Sequence, residues 1–193
     1  VLRVAEVFRS IQGEGMNAGI PMTFVRLQGC SVGCVWCDTK HTWASEGGHP
    51  YTFEDLISLC VDRWVCVTGG EPAQANPVIL STFISRLQTI GKMVCVESAG
   101  VGSLAGISGA DHIVISPKRH LPPAPEAFAM AHEVKVICCS IDDIRFALSL
   151  EVGDRLRLQP VSMSKAATAV CLEAARDHGV RVSVQIHKFL GVE

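Results

Sequence analysis

No stretch of the sequence stays apolar for the roughly 18 residues that a membrane-spanning helix needs, and no basic segment followed by an apolar one opens it as a secretion signal would. The expectation is a cytoplasmic protein with no membrane partner. Blocks of like charge are also missing. The 17 basic and 19 acidic residues are dispersed along the chain for a formal net charge of −2, which excludes the basic stripe of a nucleic-acid-binding surface. A disulfide framework is absent too, because the cysteine total is an odd nine. Six of them (Cys60, Cys66, Cys95, Cys138, Cys139 and Cys171) are scattered through apolar segments as core filler in a reducing compartment. Charged residues are scarce, 19% against 48% hydrophobic, a balance expected when strands are covered on both faces. A chain of 193 residues can bury a substantial core, and one domain over residues 1–193 is expected.

The remaining cysteines lie together. Cys30, Cys34 and Cys37 sit within eight residues, directly after an apolar run. The spacing C-x3-C-x2-C offers three soft sulfur ligands from one loop and leaves a fourth metal position unclaimed, as an iron–sulfur cluster with a ligand-binding corner would require. Other readings stay open on this loop alone. His41 follows Cys37 closely enough to close a structural Cys3His zinc site in a non-enzymatic module, and the thiols could be small hydrophobes or disulfide partners.

Val4 to Ile11 reads as a strand, followed by Gln12-Gly13-Glu14-Gly15, which is either a plain turn or a place where backbone comes close to a ligand. Met22 to Leu27 is a strand whose alternation places Phe24 with Arg26, opposite Val25 and Leu27. Residues 44–51 read as a loop, 53–63 as a helix, and 64–68 as a buried strand ending in Gly69-Gly70-Glu71-Pro72. Pro77 starts a helix that Gly91 ends. Strands are expected over 93–97, 112–116, 134–138, 156–159 and 180–187, helices over 141–150 and 165–178, and a Pro-rich loop over 118–125.

Strands separated by helical patterns imply βαβ units. The fold expected is an α/β partial (open) TIM-like barrel of six to seven mostly parallel strands. Chemistry on such scaffolds gathers at the carboxyl ends of the strands. Thr68 to Glu71, Glu97, Ser116 with Lys118, Gln159, and Gln185 with His187 all terminate apolar runs. Period two places Ser183, Gln185 and His187 on one face of the last strand, which is expected to look into the cavity.

Cys30-x3-Cys34-x2-Cys37 with Gly69-Gly70-Glu71-Pro72 resembles the radical S-adenosylmethionine superfamily. Further segments make the chain similar to the 7-carboxy-7-deazaguanine synthase family over nearly its whole length. They are Gln12 to Gly15, Arg26 to Cys30, Cys37 to Trp43, Ser116-Pro117-Lys118, Gln159-Pro160 and Gln185 to Leu190. The resemblance implies a [4Fe–4S] cluster on Cys30, Cys34 and Cys37, S-adenosylmethionine on its fourth iron, and a 5′-deoxyadenosyl radical that takes hydrogen from the substrate. It implies that Trp36, Cys37, Asp38, Gly70, Glu71, Glu97, Ser116, Pro117, Lys118, Gln159, Pro160, Val161 and Ser162 surround that cofactor. It assigns Ile11, Gln12, Gly13, Glu14, Arg26, Thr68, Gln185, His187 and the terminal Glu193 to the substrate, with Lys118 and His187 as candidate catalytic groups and Thr39 as a ligand for Mg²⁺. Arg26 suits a carboxylate because its fork is bidentate, although an ordinary salt bridge is the other reading. The implied reaction converts 6-carboxy-5,6,7,8-tetrahydropterin to 7-carboxy-7-deazaguanine with loss of ammonia, in queuosine and 7-deazapurine biosynthesis. A reductant such as flavodoxin or ferredoxin and a homodimer are implied as well. A glycyl-radical-enzyme activase would share the cysteine spacing and the Gly-Gly-Glu segment.

Overall fold

Short runs rich in Val, Ile and Cys make the strands, and in the computed structural model, which describes residues 1–192, all nine join one sheet. In chain order they are β1 (Leu2–Ile11), β2 (Pro21–Leu27), β3 (His49–Tyr51), β4 (Trp64–Thr68), β5 (Met93–Ser98), β6 (His112–Ile115), β7 (Glu133–Cys138), β8 (Leu156–Pro160) and β9 (Arg181–Val182). Their order is β3-β1-β2-β4-β5-β6-β7-β8-β9. Every neighbouring pair from β2 to β9 is parallel, seven strands in all. Only β1 runs against the others, so that its pairings with β2 and with the edge strand β3 are antiparallel. The sheet has two edges and so stays an open barrel.

Six helices connect or follow the strands: α1 (Phe53–Leu59), α2 (Pro77–Thr89), α3 (Pro125–Met130), α4 (Ile141–Ser149), α5 (Lys165–His178) and α6 (Ile186–Leu190). Their local signals are plain. Asn76 accepts from the Val78 and Ile79 backbone amides ahead of Pro77, and α2 buries Leu80, Phe83, Ile84 and Leu87 at helical spacing. Ser140 and Asp143 form a capping box for α4. Ser164 caps α5, which ends at Gly179 with φ +66°.

Alternation along the strands divides the residues between two faces. Val25, Val65, Val67, Val94, Val96, Val134 and Leu158 point outward and form the main core with α2, α4 and α5. On the concave face Met22, Phe24, Cys66, Cys95 and Val114 make a smaller apolar floor, with Phe8 and Trp64 against it. Above that floor, toward the strands' carboxyl ends, the concave face turns polar.

Four local expectations change. Within residues 44–51, His49–Tyr51 is strand β3, because Leu2, Arg3 and Val4 of β1 supply its ladder from 45 or more residues away. The helix after it stops at Leu59, where Cys60 leaves helical geometry. The connection after Lys118 contains the six-residue α3, opened by Pro125. The last strand is only Arg181–Val182. Beyond it Ser183 turns its hydroxyl to Gln159 Oε1 at 2.9 Å, and the Ile186 amide bonds to the Gly13 carbonyl at 3.0 Å. That diversion turns Ile186–Leu190 into helix α6 instead of strand.

Candidate active site

The cysteine loop leaves the carboxyl end of β2 and is tied down along its length. Gly29 and Cys30 donate to the carbonyls of Thr42 and Trp43 at 2.8 and 3.0 Å, and Glu71 donates to the carbonyl of Gly29 at 2.8 Å. Ser31 N donates to Gln74 Oε1 at 3.0 Å. Val32 and Cys34 are buried against Ala99, which anchors the loop on β5's exit. All nine cysteines are free thiols. Cys30, Cys34 and Cys37 open onto one cavity of about 280 Å³. Burial pushes the Cys30 and Cys34 thiols up. The neighbouring thiols reinforce this at both, as does Glu71 at Cys30, while Lys118 opposes it at Cys34. Thiolates crowded in this way need a cation between them, and the soft donor set fits an iron–sulfur cluster. His41, the fourth ligand of a closed zinc site, sits instead 3.6 Å from Glu6 Oε1. Among the described residues no three His, Cys, Asp or Glu side chains converge to hold a single metal ion.

The turn after β4 presses against this loop, and two of its residues can only be glycine. At Gly70 (φ +44°) a Cβ would lie 2.6 Å from the Gly29 carbonyl oxygen and 2.9 Å from that of Leu27. At Gly69 (φ +63°) it would lie 1.8 Å from Arg26 Cγ, so this glycine makes room for the arginine stem. Gly70 N donates to Thr42 Oγ1 at 3.0 Å. Glu71 is buried, and its carboxylate accepts from Ala73 N at 2.9 Å, from Ala99 N at 2.7 Å and from the Ser98 hydroxyl. Burial raises its pKa and these bonds oppose the rise. Glu71 therefore clasps β4 to β5, a job its place beside the cavity did not suggest.

Opposite the thiols lies a polar wall. Glu14 contacts Lys135 Nζ and accepts from Gln185 Nε2 at 2.7 Å. Burial alone would raise the Glu14 carboxyl, but Lys135 and the two hydrogen-bonding glutamines hold it at about 2. Glu97 accepts from Gln12 Nε2 at 2.9 Å and stands 3.5 Å from Lys135 Nζ. Arg26 donates its Nε to Glu6 at 2.6 Å and lies over Phe8, 5.3 Å from the ring centroid. Lys118 donates to Ser116 Oγ at 2.6 Å and lies 5.1 Å from the centroid of Trp36. Burial depresses its ammonium. His187 is also lowered, mainly by burial, and packs so closely on Gly13 that a Cβ there would lie 1.9 Å from its Nδ1. At the rim Lys188 joins Asp38 at 3.2 Å to Ser162 at 2.6 Å, tying α6 to the cysteine loop and to the turn after β8.

The residues assigned to cluster, cofactor, substrate or Mg²⁺ line this cavity, with two exceptions. Pro117 lines an adjoining cavity of about 270 Å³ that shares Trp36 and Lys118, and Glu193 lies outside the described residues. Ser183, expected on the cavity face, is instead buried behind it, accepting from Gly15 N at 2.9 Å and donating to Gln159 Oε1. Thr39 offers a hydroxyl at the wall, 3.5 Å from Cys37 Sγ. A single hard oxygen suits Mg²⁺ when substrate and water complete the octahedron. Sequence reasoning missed Lys135, Glu6, Thr42 and Lys188. For Lys135 a signal existed, because it is the one charge in the apolar run Val134 to Cys138, and alternation sets it with Ile137 on the cavity face. For Glu6, whose role depends on Arg26 across the sheet, the local sequence carries none.

Comparison with known proteins agrees with this geometry. Residues 11–102 match the family described as a 4Fe-4S single cluster domain. The 7-carboxy-7-deazaguanine synthase of Prochlorococcus marinus is 32% identical, the alignment covering 99% of this chain and 98% of that protein. The synthase of Synechocystis is 34% identical over 98% of this chain and 92% of its own length, and that of Escherichia coli 31% over 98% of each. The crystal structure of QueE from Escherichia coli superposes with a TM-score of 0.80 at 29% identity, over 95% of this chain and 93% of that one. Three thiols on an open cavity in a mostly parallel sheet, with full-length relatives above 30% identity, place this chain in the 7-carboxy-7-deazaguanine synthase (QueE) family of radical S-adenosylmethionine enzymes.

Proposed function

We propose that the protein is itself a 7-carboxy-7-deazaguanine synthase, contracting the ring of 6-carboxy-5,6,7,8-tetrahydropterin with loss of ammonia, on the way to queuosine and other 7-deazapurines. The observation that carries this reading is that the three thiols and the Glu14, Glu97 and Arg26 wall face the same cavity. Cys30, Cys34 and Cys37 would hold the [4Fe–4S] cluster. Trp36, Asp38, Gly70, Ser116, Lys118 and Gln159 to Ser162 would surround S-adenosylmethionine, with Pro117 shaping the adjoining space and Glu97 standing between that cofactor and the substrate wall. When bound, the cluster and this cofactor supply a carbon-centred radical that takes hydrogen from the substrate.

The chain's own groups do the rest. Ile11 to Glu14, Thr68 and Gln185 line the bed for the ring, and Phe8 stacked on Phe24 at 5.1 Å closes the floor. His187, whose neutral form is favoured by burial, lines the cavity and has a ring nitrogen that can accept a proton. Arg26, with its Nε committed to Glu6, offers its terminal nitrogens as a fork for the substrate carboxylate. Replacing it by Lys removes that fork, so R26K should raise the apparent KM about tenfold while leaving kcat within about threefold. Steady-state kinetics with the carboxytetrahydropterin check this, and an unchanged KM places Arg26 elsewhere. Thr39→Ala should retain the cluster but need about tenfold more Mg²⁺ for half-maximal turnover; an identical metal titration removes Thr39 as a ligand.

The whole chain is proposed to act as one radical S-adenosylmethionine domain, paired as a homodimer and reduced by flavodoxin or ferredoxin, on the strength of the family. Among the described residues no helix is long and apolar enough to cross a membrane. The deciding experiment incubates the reduced, cluster-loaded protein with S-adenosylmethionine, Mg²⁺ and 6-carboxy-5,6,7,8-tetrahydropterin. Formation of 7-carboxy-7-deazaguanine supports the reading. Cofactor cleavage without any deazaguanine would favour the glycyl-radical activase instead.

A further inference from the structure

Lys135 projects from the middle of β7 into the polar wall with only 4% of its side chain exposed, and nothing in the chemistry above uses it. Its ammonium contacts Glu14 Oε2 and stands 3.5 Å from Glu97 Oε2. The second oxygen of each carboxylate is also held from within the chain, Glu14 by Gln185 Nε2 at 2.7 Å and Glu97 by Gln12 Nε2 at 2.9 Å. Because Gln185 donates to Glu14, its own Oε1 is left as a buried acceptor with no hydrogen-bond partner. The wall thus presents carboxylate and amide oxygens around one fixed cation.

We propose that Lys135 is a positioning residue that keeps Glu14 and Glu97 side by side as acceptor-only carboxylates, so that the wall selects a heterocycle whose edge is rich in N–H donors. This deepens the reading under Proposed function and rests on it, since a pterin's amino-pyrimidinone edge is of that class. Without the cation, two partly buried carboxylates that both face the Lys135 position repel each other, and the pair is expected to retain a proton. A carboxylic acid turns one acceptor into a donor and opposes the ligand's N–H groups. The other titratable groups facing this site are Glu133 on the same strand, Lys118 after β6, His187 on α6 and Cys66 on β4. His112 and Arg157 act on Glu133 from β6 and β8.

The test compares Lys135→Met and Lys135→Arg with the wild type as cluster-loaded, S-adenosylmethionine-bound proteins. The probe is 6-carboxypterin, a stable oxidised analogue whose own titration cancels in the ratio of variant to wild-type Kd. For Lys135→Met that ratio should be about tenfold near about pH 6 and fall toward about threefold by about pH 8, as the trapped proton leaves. For Lys135→Arg it should stay within about threefold and flat with pH. A flat ratio for the Met variant, or the same pH dependence in the Arg variant, overturns the proposal. Should the Met variant not fold, Lys135→Met with Glu97→Gln removes the cation and one carboxylate together. It should fold and give a flat ratio, and a surviving pH dependence rejects the idea. A ligand-free readout separates this inference from the functional reading. A carboxyl whose folded pKa is raised loses stability as pH rises, so the melting temperature of the Met variant should decline relative to wild type between about pH 5 and about pH 8. Wild type that binds no pterin sinks the functional reading and the selectivity claim, whereas a parallel melting profile sinks the charge pairing alone.

Discussion

Cys34→Ala protein, purified without oxygen, will lack an intact iron–sulfur cluster and fall to the background rate, a loss of at least about a thousandfold. Two thiolates from one loop cannot occupy three corners of a cubane, and no neighbouring group can step in. His41 is engaged with Glu6, and Lys118, the charge that acts most strongly on Cys34, is a cation. The loop itself should survive. Val32 remains packed against Ala99, and the bonds from Gly29, Cys30 and Glu71 do not involve the thiol. Removing one buried sulfur should cost only about 1 kcal/mol of folding stability. Cys60→Ala is the matched control, since Cys60 is buried and its thiol donates to the Leu56 carbonyl far from the cavity. It should lose comparable stability and keep wild-type iron. Iron and sulfide analysis with thermal melting checks both, and equal cluster content in Cys34→Ala and wild type would refute the ligand assignment.

Gly70→Ala should lower turnover about a hundredfold and the melting temperature by about 4–8 °C, from a strain of about 2 kcal/mol. The new methyl meets backbone, not a side chain that can rotate aside. Its contact with the Gly29 carbonyl at 2.6 Å forces apart the two segments joined by the Glu71 amide. One segment carries Cys30 and the other carries Thr68 and Glu71, so the thiols shift relative to the polar wall. Gly91→Ala isolates the conformational part. Gly91 also has positive φ, +80°, but nothing lies within 4 Å of its would-be Cβ. It should lose stability and keep its turnover. Equal activity in Gly70→Ala and Gly91→Ala would show that the close approach at Gly70 does not set the site.

How much of this was legible in the sequence depended on how local each feature is. Three thiols with Gly33, Trp36 and Asp38 declare themselves within ten residues, and the parallel sheet follows from strands alternating with helices that carry their own caps at Asn76, Ser140 and Ser164. The end of the chain misled because Ser183, Val184, Gln185, Ile186 and His187 alternate as a strand would. What bends them into a helix is a bond to the Gly13 carbonyl, 173 residues away in the chain. Gln185 and His187 still border the site, but by this diversion and not by pleating, while Ser183 is buried behind it. The same limit hid Lys135. Its charge is visible in an apolar run, yet its meaning comes from Glu14, 121 residues earlier. Glu71 lines the cavity as its place after β4 suggested, but the clasp it forms with Ala73, Ser98 and Ala99 was hidden, because two of those three donors lie 27 and 28 residues further along the chain.

The proposed chemistry depends on a metal cluster held by one loop with a corner left for a small-molecule ligand. Electron paramagnetic resonance of the dithionite-reduced protein, recorded before and after adding S-adenosylmethionine, addresses this directly. A reduced [4Fe–4S] signal whose g-values move when the sulfonium compound is added is the predicted result. Stoichiometric zinc with no iron signal, or an iron signal indifferent to S-adenosylmethionine, would contradict it.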